Sequence, residues 1–474
     1  MLTFADILEA LCGNRPEQAS QVITDAVIDS RKVNPGALFI ALPGEKVDGH
    51  DFIGEAIERG ASLVLVQRDL PSKLPVLDLR TDPDLSHLNN LVLPLCLRVE
   101  DCLAALQQIA RYWRQKLEVK VIGITGSVGK STTKELVAEV LEQRYSTLRN
   151  PGNLNNEIGL PLTILQLNPA HQRAVLEMGF YVPGEIALLC DIAKPQIGVI
   201  TNIGTVHAER AGTQEIIAKG KAELVQALPP APEGVAILNY DDHRVREMAN
   251  STRAAVFFYG LDPHADLWAD NVEGLGLDGI RFRLHFHNET IHLRVPLIGR
   301  HSVHTALRAA AVGLVEGLTW QEIYTGLRST HTQLRMMTVK ARSGALILDD
   351  TYNASPESTL AALNLLDELT GKKIAVLGDM LELGPYEQVG HEMVGVRAAE
   401  VADELITVGK RGQLIAAAAR EAGLTSSAIT SVEDSLQAIQ ALAGKLDAQT
   451  VVLVKGSRGM QMDRIVSALE YREQ

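Results

Sequence analysis

The stretch VKVIGITGSVGKSTTKELVAEVLEQR, residues 119–144, decides how this chain folds. VKVIGIT (119–125) is a β-type apolar run, and the residues beyond it switch to helical periodicity. In STTKELVAEVLEQR (131–144), Leu136, Val137, Val140 and Leu141 fall on one helical face. Between strand and helix lies the glycine-rich turn GITGSVGKSTT (123–133). Successive N–H groups in such a turn make an anion-binding nest, and the helix N-terminus adds its positive dipole end. Thr125, Gly126, Ser127, Val128, Gly129, Lys130, Ser131 and Thr132 are therefore the candidate nucleotide-phosphate loop. Gly126 and Gly129 permit close backbone approach, Lys130 is placed for the β- and γ-phosphates, and the Ser131 hydroxyl for Mg²⁺. The fit to G-x-x-x-x-G-K-[ST] is displaced, because Ile124 holds the first glycine position and Gly123 precedes it. ATP or GTP is the expected ligand. The loop alone names no reaction, since switches, motors, kinases and ligases all carry one.

Strand, glycine loop and helix in that order open a βαβ unit. An amphipathic helix, DCLAALQQIARYWRQ from Asp101, precedes it, and AVLEMG, IGVITNIG and GVAILNY supply further strands. That alternation predicts a mostly parallel sheet covered by helices. Upstream, ALFIAL (37–42) and GASLVLV (60–66) are short strand-like runs, and the polar TDPDLSHLNN (81–90) reads as a linker or loop. Downstream, ALILDD, KKIAVLGDM, ELITVG and VVLVKGS are strand-to-loop edges, where open α/β sheets collect ligands. Ser355 suits an N-cap and Pro356 a first helical position in SPESTLAALNLLDEL. The expected fold class is α/β in three domains: residues 1–96, 97–331 and 332–474.

Length and composition agree. At roughly 100–200 residues per domain, 474 residues suit two to four domains. Lys plus Arg number 45 against 58 Asp plus Glu, a net charge of −13, which argues against a nucleic-acid partner. No apolar run approaches a bilayer span, so the protein is not expected to be membrane-inserted. The start MLTFADILEALCGN carries Asp6 and Glu9 and no basic leader. Cys12, Cys96, Cys102 and Cys190 form no CxxC pair and read as reduced buried thiols. A cytoplasmic location is expected, and a monomer.

The residues around the loop resemble the ATP-dependent Mur ligases of bacterial cell-wall synthesis, and the likeness runs over nearly the whole chain. GITGSVGKSTT is similar to that family's loop, displaced glycine included. DSRKVNPGALFIALPGEKVDGHDFIGEAIERGA (29–61) resembles its nucleotide-sugar-binding domain. NPGNLNNEIGLPLTIL (150–165), LEMG, TNIGTVHAER, NYDDH, DDTYNASPES, GDMLELG and VKGSRG complete the likeness, and no DNPR motif of the diaminopimelate-adding ligases is present. The resemblance implies a small α/β UDP-sugar-binding domain, a central P-loop ATPase domain and a C-terminal Rossmann-like domain binding an incoming dipeptide. It implies that D-alanyl-D-alanine is joined to UDP-N-acetylmuramoyl-tripeptide, with ATP and Mg²⁺, through an acyl phosphate. Such chemistry needs charge neutralisation around the moving phosphoryl group, and dryness.

By the same resemblance Lys130, Glu177, His207, Lys221 and Arg335 are catalytic, and Ser131, Glu177, His207 and Lys221 hold Mg²⁺. Lys221 aligns with a lysine that is carbamylated in many of these ligases; Lys219 is close enough to confuse the register. A lone lysine on a helix otherwise reads as solvated, and a lone histidine as a packing residue, since Mg²⁺ favours oxygen. Asn239, Asp242 and His301 fall where the family contacts adenine or braces the site. The family form G-x-H-N-x-x-N is broken here by Ser302 and Thr305, which leaves a packing role equally open. Asp350, Tyr352 and Asn353 are implied near ATP and the dipeptide, Asn155 and Asn156 near the acceptor or phosphate. Ser30, Arg31, Asp48, Gly49 and His50 are candidates for the UDP-sugar, although Asp48-Gly49 is equally a turn signal. Competing readings are a sister ligase adding one amino acid to a UDP-muramoyl-dipeptide, a folylpolyglutamate-type ligase, and a nucleotide-binding regulator without turnover.

Overall fold

The structure, a computed structural model, describes residues 1–474 except 45–46, 71–73, 82–92, 330–336 and 471–474. The chain forms two compact units. One comprises residues 1–123, 145–179 and 185–197; the other comprises 124–144, 180–184 and 198–474.

The first unit contains a five-stranded parallel sheet. Its strands are β1 (Ala26–Val27), β2 (Leu38–Ile40), β3 (Leu63–Val66), β4 (Val76–Asp78) and β5 (Leu95–Arg98), in the order β1-β2-β3-β5-β4. Strands β2 and β3 are buried along their whole length, which is why they read as unbroken apolar runs rather than alternating ones. Most of the expected linker at 81–90 lies outside the described residues. The helix Cys102–Gln115 begins where Asp101 accepts a hydrogen bond from Ala104 N at 2.8 Å. Its buried face presents Leu106, Ile109, Ala110 and Trp113. Strand β6 (Lys120–Thr125) follows, and β7 (Thr147–Arg149) pairs in parallel with β8 (Arg173–Glu177).

In the second unit the loop after β6 feeds the helix Lys130–Leu141, whose Leu136, Val137, Val140 and Leu141 are fully buried, as the periodicity predicts. Strand β9 (Ile197–Ile200) is followed by β10 (Val235–Asn239), β11 (Ala255–Gly260) and β12 (Leu267–Gly274), and β10, β11 and β12 pair in parallel. The chain then turns antiparallel through β13 (Ile280–Phe286) and β14 (Glu289–Val295). The sequence reading does not anticipate this meander. Its signal is alternation: Ile280, Phe282 and Leu284 are buried, whereas Arg281 is exposed and Arg283 half-buried, as in a sheet solvated on one face.

The remaining strands are β15 (Met337–Lys340), β16 (Leu346–Asp350), β17 (Lys372–Gly378), β18 (Glu404–Val408), β19 (Ile429–Val432) and β20 (Thr450–Lys455). They lie in the order β15-β16-β20-β17-β18-β19, parallel except for β15. Apolar side chains cover both faces. Leu348, Leu377 and Leu405 join one core, and Ile347, Val376 and Ile406 join the other. Ser355 caps the helix Pro356–Glu368 with Pro356 in its first turn, as expected. Cys96, Cys102 and Cys190 are buried and Cys12 is half-buried, and none is in a disulfide among the described residues. Among the described residues no helix is long and apolar enough to cross a membrane.

Candidate active site

Thr201, just past β9, donates its N–H to Thr125 O at 3.0 Å, holding the start of the phosphate loop. Gly126 then turns at φ +145°, and a Cβ there would meet Thr201 Oγ1 at 1.8 Å. No other residue fits. Asn202 stitches the loop from outside: its carbonyl accepts from Ser127 N at 2.9 Å and its Oδ1 from Val128 N at 3.0 Å. Two N–H groups that the glycine pattern assigns to a ligand are thus engaged by Asn202. Gly129, at φ +84°, is the N-cap of the helix, and no side chain among the described residues caps it. A helix start without a side-chain cap suits phosphate oxygens, because its first N–H groups have no partner within the helix.

Two lysines converge on one carbonyl. Gly126 O accepts from Lys130 Nζ at 2.9 Å and from Lys221 Nζ at 3.1 Å. Lys221 is 1% exposed and sits over the Phe180 ring at 4.7 Å, while Lys219 is exposed. On the helix Gln214–Gln226 Lys221 is thus buried and Lys219 exposed, which corrects the solvated reading of Lys221. Burial, then the neighbouring Lys130 charge, pushes the Lys221 ammonium well below its ordinary range. No carboxylate partners Lys221 among the described residues. A buried amine beside a second cation favours the neutral form, the form that reacts with carbon dioxide.

His207 occupies a left-handed backbone conformation at φ +68° and packs edge-on against Tyr181. Its Nδ1 lies 2.8 Å from Glu382 Oε2, in the GDMLELG segment. Burial, with the Lys130 charge, lowers its pKa to about 4, so the imidazole is neutral at pH 7. The Glu382 carbonyl also accepts from Glu209 N at 3.1 Å, and Glu357 Oε1 accepts from Thr205 N at 3.0 Å. The TNIGTVHAER loop is thus held by two carboxylate residues, Glu382 in GDMLELG and Glu357 in DDTYNASPES, to which the resemblance assigns no role.

In the first unit Glu177 ends β8 and is buried, and its Oε1 accepts from Asn155 Nδ2 at 2.8 Å. Asn150, 0% exposed, fixes the backbone there: its Oδ1 accepts from Glu177 N at 2.9 Å and its Nδ2 donates to Leu154 O at 2.7 Å. Asn150→Ala leaves those groups unpaired and is expected to cost about 2–4 kcal/mol in urea unfolding. Asn156 serves the turn, its Oδ1 accepting from Gly159 N at 2.9 Å.

Of the nucleotide-sugar candidates, Ser30 Oγ donates to Glu55 at 2.7 Å, and Arg31 forms a bidentate pair with Asp29 while staying exposed. Asp48, Gly49 and His50 close a turn. Asp48 Oδ1 lies 2.6 Å from His50 Nδ1, Gln67 N donates to His50 Nε2 at 3.1 Å, and a Cβ on Gly49 would meet Leu42 N at 2.8 Å. The His50 ring therefore spends both nitrogens inside its own domain.

Asn239 donates to Thr201 O at 3.1 Å, and Asp242 accepts from Ile203 N at 2.8 Å while capping the helix His243–Glu247. Both brace the loops after β9 and β10. Asp350 Oδ2 accepts from the buried Lys455 Nζ at 2.6 Å, and Asn353 O from the same amine at 2.9 Å; Tyr352 is exposed. Arg335 lies outside the described residues. Among the described residues no three His, Cys, Asp or Glu side chains gather as a metal site. The Ser131 hydroxyl is a hard oxygen donor of the kind Mg²⁺ takes; Lys221 becomes one only as a carbamate.

A phosphate loop stitched into an α/β domain and followed by a doubly wound α/β domain defines a nucleotide-binding α/β protein. Comparison with known proteins makes the class specific. Residues 124–313 match the Mur ligase middle domain, 334–458 the Mur ligase glutamate ligase domain, and 22–114 the Mur ligase family catalytic domain. The chain belongs to the Mur ligase family. It is 37% identical over 475 residues to the UDP-N-acetylmuramoyl-tripeptide–D-alanyl-D-alanine ligase of Bacillus subtilis, covering 98% of each chain. A crystal structure of MurF from Acinetobacter baumannii superposes with a TM-score of 0.84 at 29% identity, covering 98% of each chain. The MurF ligase from Thermotoga maritima in complex with ADP superposes with a TM-score of 0.77 at 28% identity, covering 94% of this chain and 96% of that one.

Proposed function

We propose that this chain joins D-alanyl-D-alanine to UDP-N-acetylmuramoyl-tripeptide at the expense of ATP, giving the UDP-N-acetylmuramoyl-pentapeptide precursor of peptidoglycan. The observation that carries the reading is the full-length likeness to ligases named for that reaction, borne by a chain whose Lys130 and Lys221 meet at the phosphate loop. ATP supplies the phosphoryl group: the tripeptide carboxylate oxygen takes the γ-phosphoryl, ADP leaves, and an acyl phosphate forms. The dipeptide amine then adds to the acyl carbon, loses a proton, and expels inorganic phosphate as the amide forms.

The residues divide this work by charge. Lys130 and the N-terminus of its helix offset the charge on the phosphates. Mg²⁺ would neutralise the phosphate oxygens, and Ser131, Glu177, His207 and carbamylated Lys221 are its proposed ligands. Glu382 at Nδ1 leaves Nε2 as the His207 atom for that task. Asn239 and Asp242 are proposed at the adenine end, and Arg335 at the γ-phosphate. Asp350, Tyr352 and Asn353 are assigned to the ATP–dipeptide side, and Asn155 and Asn156 to the acceptor. Ser30, Arg31, Asp48, Gly49 and His50 are assigned to the UDP-sugar. Domain limits at 96/97 and 331/332 follow the same reading, the second outside the described residues, and the enzyme is proposed to act as a cytoplasmic monomer.

The reading is tested by ATP-dependent phosphate release with UDP-N-acetylmuramoyl-tripeptide, varying only the amine. Release with D-alanyl-D-alanine, and not with free diaminopimelate or lysine, is expected. Release only with a UDP-N-acetylmuramoyl-dipeptide and a single amino acid would move the chain to the sister ligase.

A further inference from the structure

A buried arginine lies under the phosphate loop. Arg308, on the helix Val303–Val315, is 4% exposed. Its Nε donates to Thr133 Oγ1 at 2.8 Å, its Nη2 to Thr305 Oγ1 at 2.8 Å, and its Nη1 to the Tyr259 hydroxyl at 3.4 Å. The guanidinium also approaches the Tyr259 ring, 5.7 Å from its centroid. All these partners are neutral, and no carboxylate pairs with Arg308 among the described residues. A Cβ built on Gly129 would meet Nη2 at 3.2 Å, so the guanidinium packs directly beneath the glycine that starts the loop helix.

That placement is electrostatically unfavourable by itself. A buried charge without a counter-ion is costly, and the positive end of a helix dipole adds repulsion. Hydrogen bonding does not require it either. Thr133 Oγ1 already donates to Gly129 O at 2.7 Å, and the Tyr259 hydroxyl to Ile200 O at 3.0 Å, so both hydroxyls keep partners without the arginine. Thr305, which stands where the family form has asparagine, serves as one of its acceptors. An anion held in the loop would offset that charge.

We propose that Arg308 is a positioning residue for the nucleotide, a buried cation whose charge is offset by a polyphosphate seated in residues 126–131. It acts through the loop backbone rather than by touching the ligand, and it makes the unliganded loop the less stable state. The inference rests on the reading of that loop as a nucleotide site and adds a determinant of affinity outside it.

The test compares wild type, Arg308→Met and Arg308→Lys, using calorimetric titration with ADP and with inorganic pyrophosphate, and melting of each unliganded protein. Arg308→Met is expected to bind both ligands about tenfold to a hundredfold more weakly, while melting no lower than wild type without ligand. Arg308→Lys keeps the charge and is expected to bind ADP within about threefold of wild type. Unchanged ADP binding by Arg308→Met overturns the inference alone, and so does an Arg308→Met protein that melts well below wild type or fails to fold. Equal losses in the Lys and Met variants also overturn it. A wild-type protein that binds neither ligand removes the nucleotide reading and the inference together.

Discussion

Replacing Lys221 by alanine is expected to lower kcat for ligation by about a thousandfold, with ADP affinity changed by no more than about threefold. The amine is buried, over an aromatic ring, on the carbonyl that Lys130 also uses. Two cations so placed cannot both keep a proton cheaply, and burial with the Lys130 charge shifts Lys221 towards its neutral form. The proposed carbamylation would form an N–C bond to carbon dioxide, release one proton and turn the side chain into an anion. Alanine removes that anion and opens a cavity the size of the lost chain. Formate or bicarbonate is therefore expected to restore part of the rate to Lys221→Ala. Loss without rescue would assign Lys221 to holding the Gly126 carbonyl. Normal activity in the untreated variant would end the idea.

Gly126→Ala is the second large effect: ADP affinity is expected to fall by at least about a hundredfold in calorimetric titration. The added methyl would sit 1.8 Å from Thr201 Oγ1, at a backbone φ of +145° that L-residues rarely adopt. The loop must open away from β9, and Ser127 and Val128 then lose Asn202. Thr201→Ala removes the colliding oxygen, which has no hydrogen-bond partner among the described residues. The double variant Gly126→Ala with Thr201→Ala is expected to recover part of the affinity but not all, because the φ strain stays. Wild-type binding by Gly126→Ala alone would show that the loop is not the close-approach surface described here.

These cases mark how far sequence reasoning reaches. The β6–loop–helix unit is legible because apolar periodicity switches at a glycine turn, and β16, β17, β18 and β20 because each ends in a Gly or Asp loop, whereas β15 and β19 are not anticipated. The β13–β14 meander was open to the same reasoning: Ile280, Phe282 and Leu284 alternate with Arg281, Arg283 and His285. The site is another matter. Lys219 and Lys221 are separable only by burial, which needs Phe180 and the loop in place. Asn202 and Glu382 lie inside stretches that resemblance singles out and Arg308 does not, and nothing local marks any of them, since their partners are 74, 175 and 175 residues away. Asp48 to His50 show the reverse, a conspicuous pattern whose polar groups are largely spent on one another and on Gln67.

The most direct measurement is the mass of the nucleotide product after incubation with ATP, Mg²⁺, UDP-N-acetylmuramoyl-tripeptide and D-alanyl-D-alanine. The account predicts a gain of one dipeptide less one water, with one ADP formed per product. An unchanged nucleotide mass, whether or not ADP is formed, would contradict it.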